Sequence, residues 1–395
     1  MKERIGSAMI HVRRFFYGLI AVVLVTPAEP QEVSPYDYEV PVSDASFLGI
    51  GGRFSYQGNG SDIRRNNGQA SLSYNRFYHS LPFEWDLEFQ GSGRIERTSE
   101  DKQEGSYDFE FHPGIRKYLN PLGNVFYSGE LSIDRGENYD RPHIVVTPGL
   151  GYGRFIHVTP LARAVRIEEF LLEEGLIEGP LSKETLVALA QVINRESEYR
   201  TTYGPRYRVR WLEAMEEVIA ESGRFVHGGL GGVGTVRIYE VLYQERVNQR
   251  FIGWWVRTGV EYQALTPFEH ISRGDPGMSL RLRYSRPIGW RSQFGIDAEY
   301  TSPVTGDFGY DVFNVEVSLN YLYEVTNRID FTVSNITTVN RRDPRFKTVF
   351  IERLQSGFLF YIENQILFKI GTDFHKVRGR EIGHGLSMSI EYRLH

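Results

Sequence analysis

"FEWDLEFQ", residues 83 to 90, sets Phe83, Trp85, Leu87 and Phe89 against Glu84, Asp86, Glu88 and Gln90. At two residues per repeat, one face of this segment is apolar and the other nearly all acidic, as in a strand with two unlike surroundings. The alternation returns where Phe313, Val315, Val317, Leu319 and Tyr321 interleave with Asn314, Glu316, Ser318 and Asn320. A soluble sandwich alternates too, so the decision rests on what lies between such segments.

Fourteen segments of this kind are found, at the length expected of membrane strands. Six of them, 47–57, 69–78, 83–95, 106–118, 125–135 and 144–158, precede a helical stretch. Eight follow it, at 251–265, 278–287, 292–301, 312–324, 328–339, 347–362, 365–376 and 385–395. Links after even-numbered segments are short and carry turn chemistry: "SLP" at 80–82, "NPLG" at 120–123, "TN" at 326–327 and "EN" at 363–364. Links after odd-numbered segments are longer and charged, such as "ERTSEDKQEG" at 96–105 and "QALTPFEHISRGDPG" at 263–277. Short turns on one side and long loops on the other are the mark of a barrel that crosses a membrane.

On these residues the chain resembles the outer-membrane β-barrel class of Gram-negative bacteria, porin-like in architecture, over nearly all its length outside the helical stretch. The resemblance implies an all-β fold: a transmembrane antiparallel barrel of about fourteen strands in the outer membrane, surrounded by lipid and lipopolysaccharide and inserted by the barrel assembly machinery. The final segment alternates as a closing strand should, Leu386 to Leu394, but His395 ends the chain one step out of the apolar register. That class usually ends on an aromatic residue in register.

The N-terminus fits export. Lys2, Arg4, Arg13 and Arg14 precede an apolar run from Phe15 to Val25, and Thr26-Pro27-Ala28 offers a cleavage site, so residues 1–28 read as a signal peptide. Its removal leaves 41 basic side chains against 49 acidic ones, a net charge of −8, which gives no reason to expect nucleic acid. Without cysteine there is neither a disulfide framework nor thiol chemistry. The expected division is a signal at 1–28, a periplasmic segment at 29–45, strands 1–6 over 46–158, a helical insert over 159–249 and strands 7–14 over 250–395.

Inside the insert the period changes. Thr159 as cap and Pro160 at the first helical position open a helix with Leu161, Val165, Glu168, Glu169 and Leu172 at helical spacing, ended by Gly175. A second helix follows the Ser182 cap, and a third spans about Tyr207 to Glu221. Residues 233–246 fit strand or helix. A strand there would make the total odd and swap the side of every later turn, so a helix is expected. "HGGLGGVGTVR" at 227–237 lacks the Lys-Ser/Thr ending of a phosphate loop and reads as a linker or a close helix crossing. Strand parity puts the insert on the periplasmic side, below the barrel or within its lumen.

With apolar residues facing lipid, the lumen receives Glu84, Asp86, Glu88, Asp108, Glu110, Glu130 and Asp134, and Arg281 and Arg283 from the eighth strand. This suggests a polar channel with an acidic sector facing a more basic one, or a salt-bridged interior closed by the insert. Arg341, Arg342, Arg345 and Lys347, then Lys376, Arg378 and Arg380, lie in external loops where they would meet lipopolysaccharide phosphates, or simply solvent. No catalytic constellation emerges among the ten histidines; His79/Ser80, His112 beside Asp108 and Glu110, and His375 near Asp373 are pairs expected by chance. No metal-ligand spacing or cofactor motif is present. The expected function is a porin-like channel or transporter for small polar solutes, gated by the insert. The alternatives are a non-conducting structural or assembly barrel whose helices dock a periplasmic partner, and a hydrolase with a site at the barrel rim.

Overall fold

The computed structural model describes residues 33–34, 37–38, 42–59, 62–98, 103–245, 247–304, 312–341, 343, 345, 347–362 and 366–392. The expected signal at 1–28, the turn at 363–364, Arg342 and the terminal His395 lie outside them.

Fourteen strands form one antiparallel wall in which each pairs with its sequence neighbours and β1 returns to β14. They are β1 (Val42–Asn59), β2 (Asp62–Ser80), β3 (Phe83–Thr98), β4 (Gln103–Tyr118), β5 (Val125–Gly136), β6 (His143–His157), β7 (Phe251–Leu265), β8 (Gly277–Ile288), β9 (Ser292–Pro303), β10 (Phe313–Thr326), β11 (Ile329–Arg341), β12 (Val349–Ile362), β13 (Ile366–Val377) and β14 (Ile382–Tyr392). The β1–β14 seam is held by Ile50 opposite Tyr392 and Gly51 opposite Glu391. β1 to β4 run three residues or more past the expected bounds, because pairing continues past the last alternating apolar side chain.

Register carries the alternation around the wall. Leu72, Leu150, Val260, Leu280, Phe374 and Met388 all fall on one face of the sheet and all are exposed. The opposite face is inward. One end of the barrel has short turns, residues 81–82, 119–124, 289–291 and 327–328; the other has the longer links, such as 137–142 and 266–276. The helical insert joins β6 to β7 at the short-turn end, which we call the insert end.

Five helices build the insert: α1 (Thr159–Glu173), α2 (Lys183–Asn194), α3 (Glu196–Tyr203), α4 (Tyr207–Glu221) and α5 (Gly231–Tyr239), the last running into a π-helical turn at Glu240–Gln244. Residues 233–244 are thus helical, as parity requires. Ser182 caps α2, accepting from the Thr185 N–H at 3.2 Å. Thr159 does not cap α1. The cap position is Val158, whose N–H is bonded to Arg250 O as the β6–β7 pairing runs on, and Thr159 Oγ1 accepts from Arg250 N at 2.8 Å. Helix α3 was not expected from sequence; none of its residues is buried, so it has no apolar stripe to betray it.

The insert has a core of its own. Leu161, Val165 and Leu171 of α1, Leu186 and Leu189 of α2, and Trp211, Met215 and Ile219 of α4 are buried together. Trp211 Nε1 donates to Val192 O at 2.7 Å, so its one polar atom is satisfied. Gly234 lies where α5 crosses this core, with Leu176 and Leu230 about 3 Å from where a Cβ would stand. That is the close crossing expected of the glycine-rich stretch.

Candidate solute pathway

The inward face carries all nine residues assigned to it from sequence: Glu84, Asp86, Glu88, Asp108, Glu110, Glu130, Asp134, Arg281 and Arg283. Their partners were not legible. Buried Arg116 of β4 sits between two β3 carboxylates, with Nε 3.0 Å from Glu84 and NH2 2.8 Å from Asp86, and Tyr118 OH donates to Glu84 at 3.0 Å. Arg257 of β7 pairs with Glu130 of β5. It reaches over β6 because β6 presents Gly149 and Gly151 there, with no side chain in the way. Arg281 and Arg283 of β8 pair with Asp297 of β9 at 3.1 and 3.0 Å. Acidic and basic groups therefore meet across nearby strands, in place of one sector facing another across the lumen.

Toward the insert end the same face turns aromatic. Tyr118, Phe126, Phe155 and Trp255 form a buried cluster, with Arg116 and Arg283 over the Trp255 ring at 5.4 and 5.9 Å. Phe77 of β2 meets His157 of β6 at 5.0 Å and Phe251 of β7 at 6.0 Å between ring centroids. These strands lie four and five places apart in the wall, so the rings meet across the lumen. The remaining wall is different. On β11 to β14 the inward positions mix small residues, Thr332, Ser334, Gly357, Gly371, Gly385 and Ser387, with Arg353, Gln355, Leu359, Lys369, Asp373 and His375.

The insert lies across this end. On one side it continues directly from β6 and β7, with Ile156 and Ile252 packed on its core. On the other, Asn194 of α2 donates to Val42 O at the start of β1, six strands from β7 in a wall of fourteen. Between them α1 sends Arg166 to the β10–β11 turn, where NH2 is 3.0 Å from Glu324 and NH1 2.6 Å from Asn327. Glu324 also receives Arg250 at 2.8 Å and Asn248 at 3.0 Å; Asn248 and Tyr361 of β12 both donate to Asp330 at 2.8 Å. Arg166, Arg250, Glu324 and Asp330 are all buried. Removing one member of such a network costs more than the intact network is worth, because its partner stays buried and unpaired.

Higher in the lumen, Asp134 lies 3.2 Å from His143 Nδ1 and 3.4 Å from His112 Nε2, which also stands 3.0 Å from Ser132 Oγ. A serine hydrolase needs serine and carboxylate on opposite nitrogens of one imidazole; here one nitrogen of His112 faces both. Among the described residues no group of three or more His, Asp or Glu is arranged to hold a metal ion. Of the loop cations, Arg345 is paired with Asp343 at 2.7 Å. Arg378 and Arg380 are exposed, Lys376 ends the outward face of β13, and Arg341 ends β11.

A closed wall of antiparallel strands satisfies its backbone groups by pairing, and with its apolar face outward and its charged face inward it suits immersion in lipid. The chain has the architecture of the outer-membrane β-barrel proteins. No protein-family model and no curated protein matches it. Solved structures that align with it include OccK3 (OpdO) of Pseudomonas aeruginosa, 6% identical over 89% of this chain and 95% of that one, at a TM-score of 0.35. The outer membrane protein Omp33 of Acinetobacter baumannii is 9% identical over 90% and 100%, at 0.31. The CymD monoaromatic hydrocarbon channel is 10% identical over 91% and 90%, at 0.29. Likeness this slight assigns no residue and no solute to the barrel.

Proposed function

We propose that this chain is an outer-membrane channel for small polar solutes, with the insert end in the periplasm and the insert closing its passage. The observation that carries the reading is the position of α1 and α2, which bridge the mouth from β7 to β1 and are fastened by Arg166 at the β10–β11 turn. The charged inward face supports a water-filled route, because unsolvated carboxylates at such density are costly. Exposed Arg378 and Arg380, with Lys376, are placed to meet anionic headgroups of the outer leaflet. The exposed outward face of β14 suits docking to the assembly machinery.

Solute-induced swelling of proteoliposomes tests this reading. The full chain should pass a small sugar slowly, and a chain with residues 160–249 replaced by a short turn should pass it at least tenfold faster. Equal, background rates for both would contradict it.

A further inference from the structure

Where the insert meets the lumen, the rings that pinch it include two imidazoles. His79 of β2 stands 4.7 Å from the Phe77 ring, and His157, the last residue of β6, stands 5.0 Å from Phe77 and 5.1 Å from Phe251 between centroids. His157 is buried, and Nδ1 of His79 is buried without a hydrogen-bond partner. Helix α1 begins two residues after His157 and carries Arg163 in its second turn, where the buried Nε also has no partner. Burial holds the Arg163 guanidinium below its ordinary range, with Glu196 and Tyr243 acting the other way. The Glu196 carboxylate is itself shared by Arg200, Tyr207 and Tyr243.

The charged groups that act on these imidazoles come from four elements. His79 of β2 and Arg163 of α1 act on His157, and Arg116 of β4 and Arg283 of β8 act on His79. Glu84 of β3 lies opposite His79 in register, but its carboxylate is taken by Arg116 Nε and Tyr118 OH, each at 3.0 Å. Arg116 and Arg283 are paired in turn with Glu84, Asp86 and Asp297, so the repulsion that remains is between the two imidazoles and between His157 and Arg163. A proton on either ring would add a cation to this group, packed against Phe77 and Phe251 where little water can screen it.

We propose that His79 and His157 form a proton-operated latch on the insert. Neutral, the two rings pack with Phe77 and Phe251 beside the start of α1, and the passage is closed. Protonated, they repel one another and Arg163, and α1 is released. The proposal rests on reading the insert as the closure of the barrel and names what controls that closure. Release gives both rings to water, where an imidazole takes up its proton at about pH 6.5. The closed form binds fewer protons than the open one, so each pH unit below that value favours opening by up to about tenfold per histidine, and above it pH has no effect.

Two readouts test the latch on the folded full-length barrel between pH 8 and 5: protection of α1 amides in detergent, taken relative to the intrinsic exchange rate at each pH, and conductance in planar bilayers. On acidification α1 protection should fall at least tenfold and conductance should rise by a comparable factor. His79→Phe with His157→Phe, which keeps rings beside Phe77 and Phe251, should abolish both responses; Arg163→Gln, which leaves both imidazoles in place, should reduce them. The proposal is overturned if α1 protection does not change with pH, or if the variant without the two histidines responds as the unaltered chain does. Loss of protection with no conductance at any pH supports the latch and removes the channel. Conductance that is equal at pH 8 and 5 keeps the channel and removes the latch.

Discussion

Arg116 is the residue on which the lower lumen depends most. It is buried, pairs with two carboxylates and lies over the Trp255 ring. Arg116→Met leaves Glu84, 2% exposed, without its counter-charge and should destabilise the barrel by about 3–5 kcal/mol. Adding Glu84→Gln should restore part of that loss, which urea titration of the heat-modifiable folded band would read. Gly151 makes a second case. A Cβ there would overlap the Phe126 ring and stand 2.8 Å from Val256 O, so Gly151→Ala should cost about 1–3 kcal/mol by overpacking. The same substitution at Gly175, where nothing lies within 4 Å but φ is +65°, should cost only about 1 kcal/mol of backbone strain.

At the scale of elements, Asp37 shows how the segment ahead of β1 is tied to the insert. Lys183 Nζ lies 2.7 Å from Asp37, and its hydrogen bond, followed by that from the Ser34 amide, holds the Asp37 carboxyl below the ordinary aspartate range. A lowered carboxyl adds stability at pH above its unfolded value and loses it as pH falls through the folded one. The protection factors of α2 amides, exchange relative to the intrinsic rate at each pH, should therefore fall below about pH 4 and be flat from pH 5 to 8; protection unchanged throughout would remove the tie. The elements also differ in how legible they were. Alternation alone located all fourteen strands and set the nine charged residues on the face opposite the exposed apolar one, because a period of two fixes the face whatever the neighbour. It does not fix register, so Arg116, Arg257 and Asp297 had no visible partners. The glycines at 149, 151 and 153 were a usable signal, since glycine at every second position of one face marks a close approach. The Thr159 cap failed for a different reason: the ladder of β6 and β7 runs into the helix start and takes the group that would have capped it. Helix α3 is polar throughout, and its place depends on the fold around it.

For the whole molecule, aromatic and arginine side chains from β2 to β8 fill the lumen toward the insert end. The insert is fastened across that end through Arg166, Glu324 and Asn327. Because His157 and Phe251 stand at the two junctions with the insert and touch Phe77, releasing α1 should also loosen the rings that pinch the lumen. Single-channel recording of the full chain in planar bilayers, beside Arg166→Ala with Glu324→Gln, tests this most directly. The account predicts rare or small openings for the unaltered chain and frequent, larger openings for the variant. Silence from both proteins, or identical conductance in both, would contradict a passage closed by the insert.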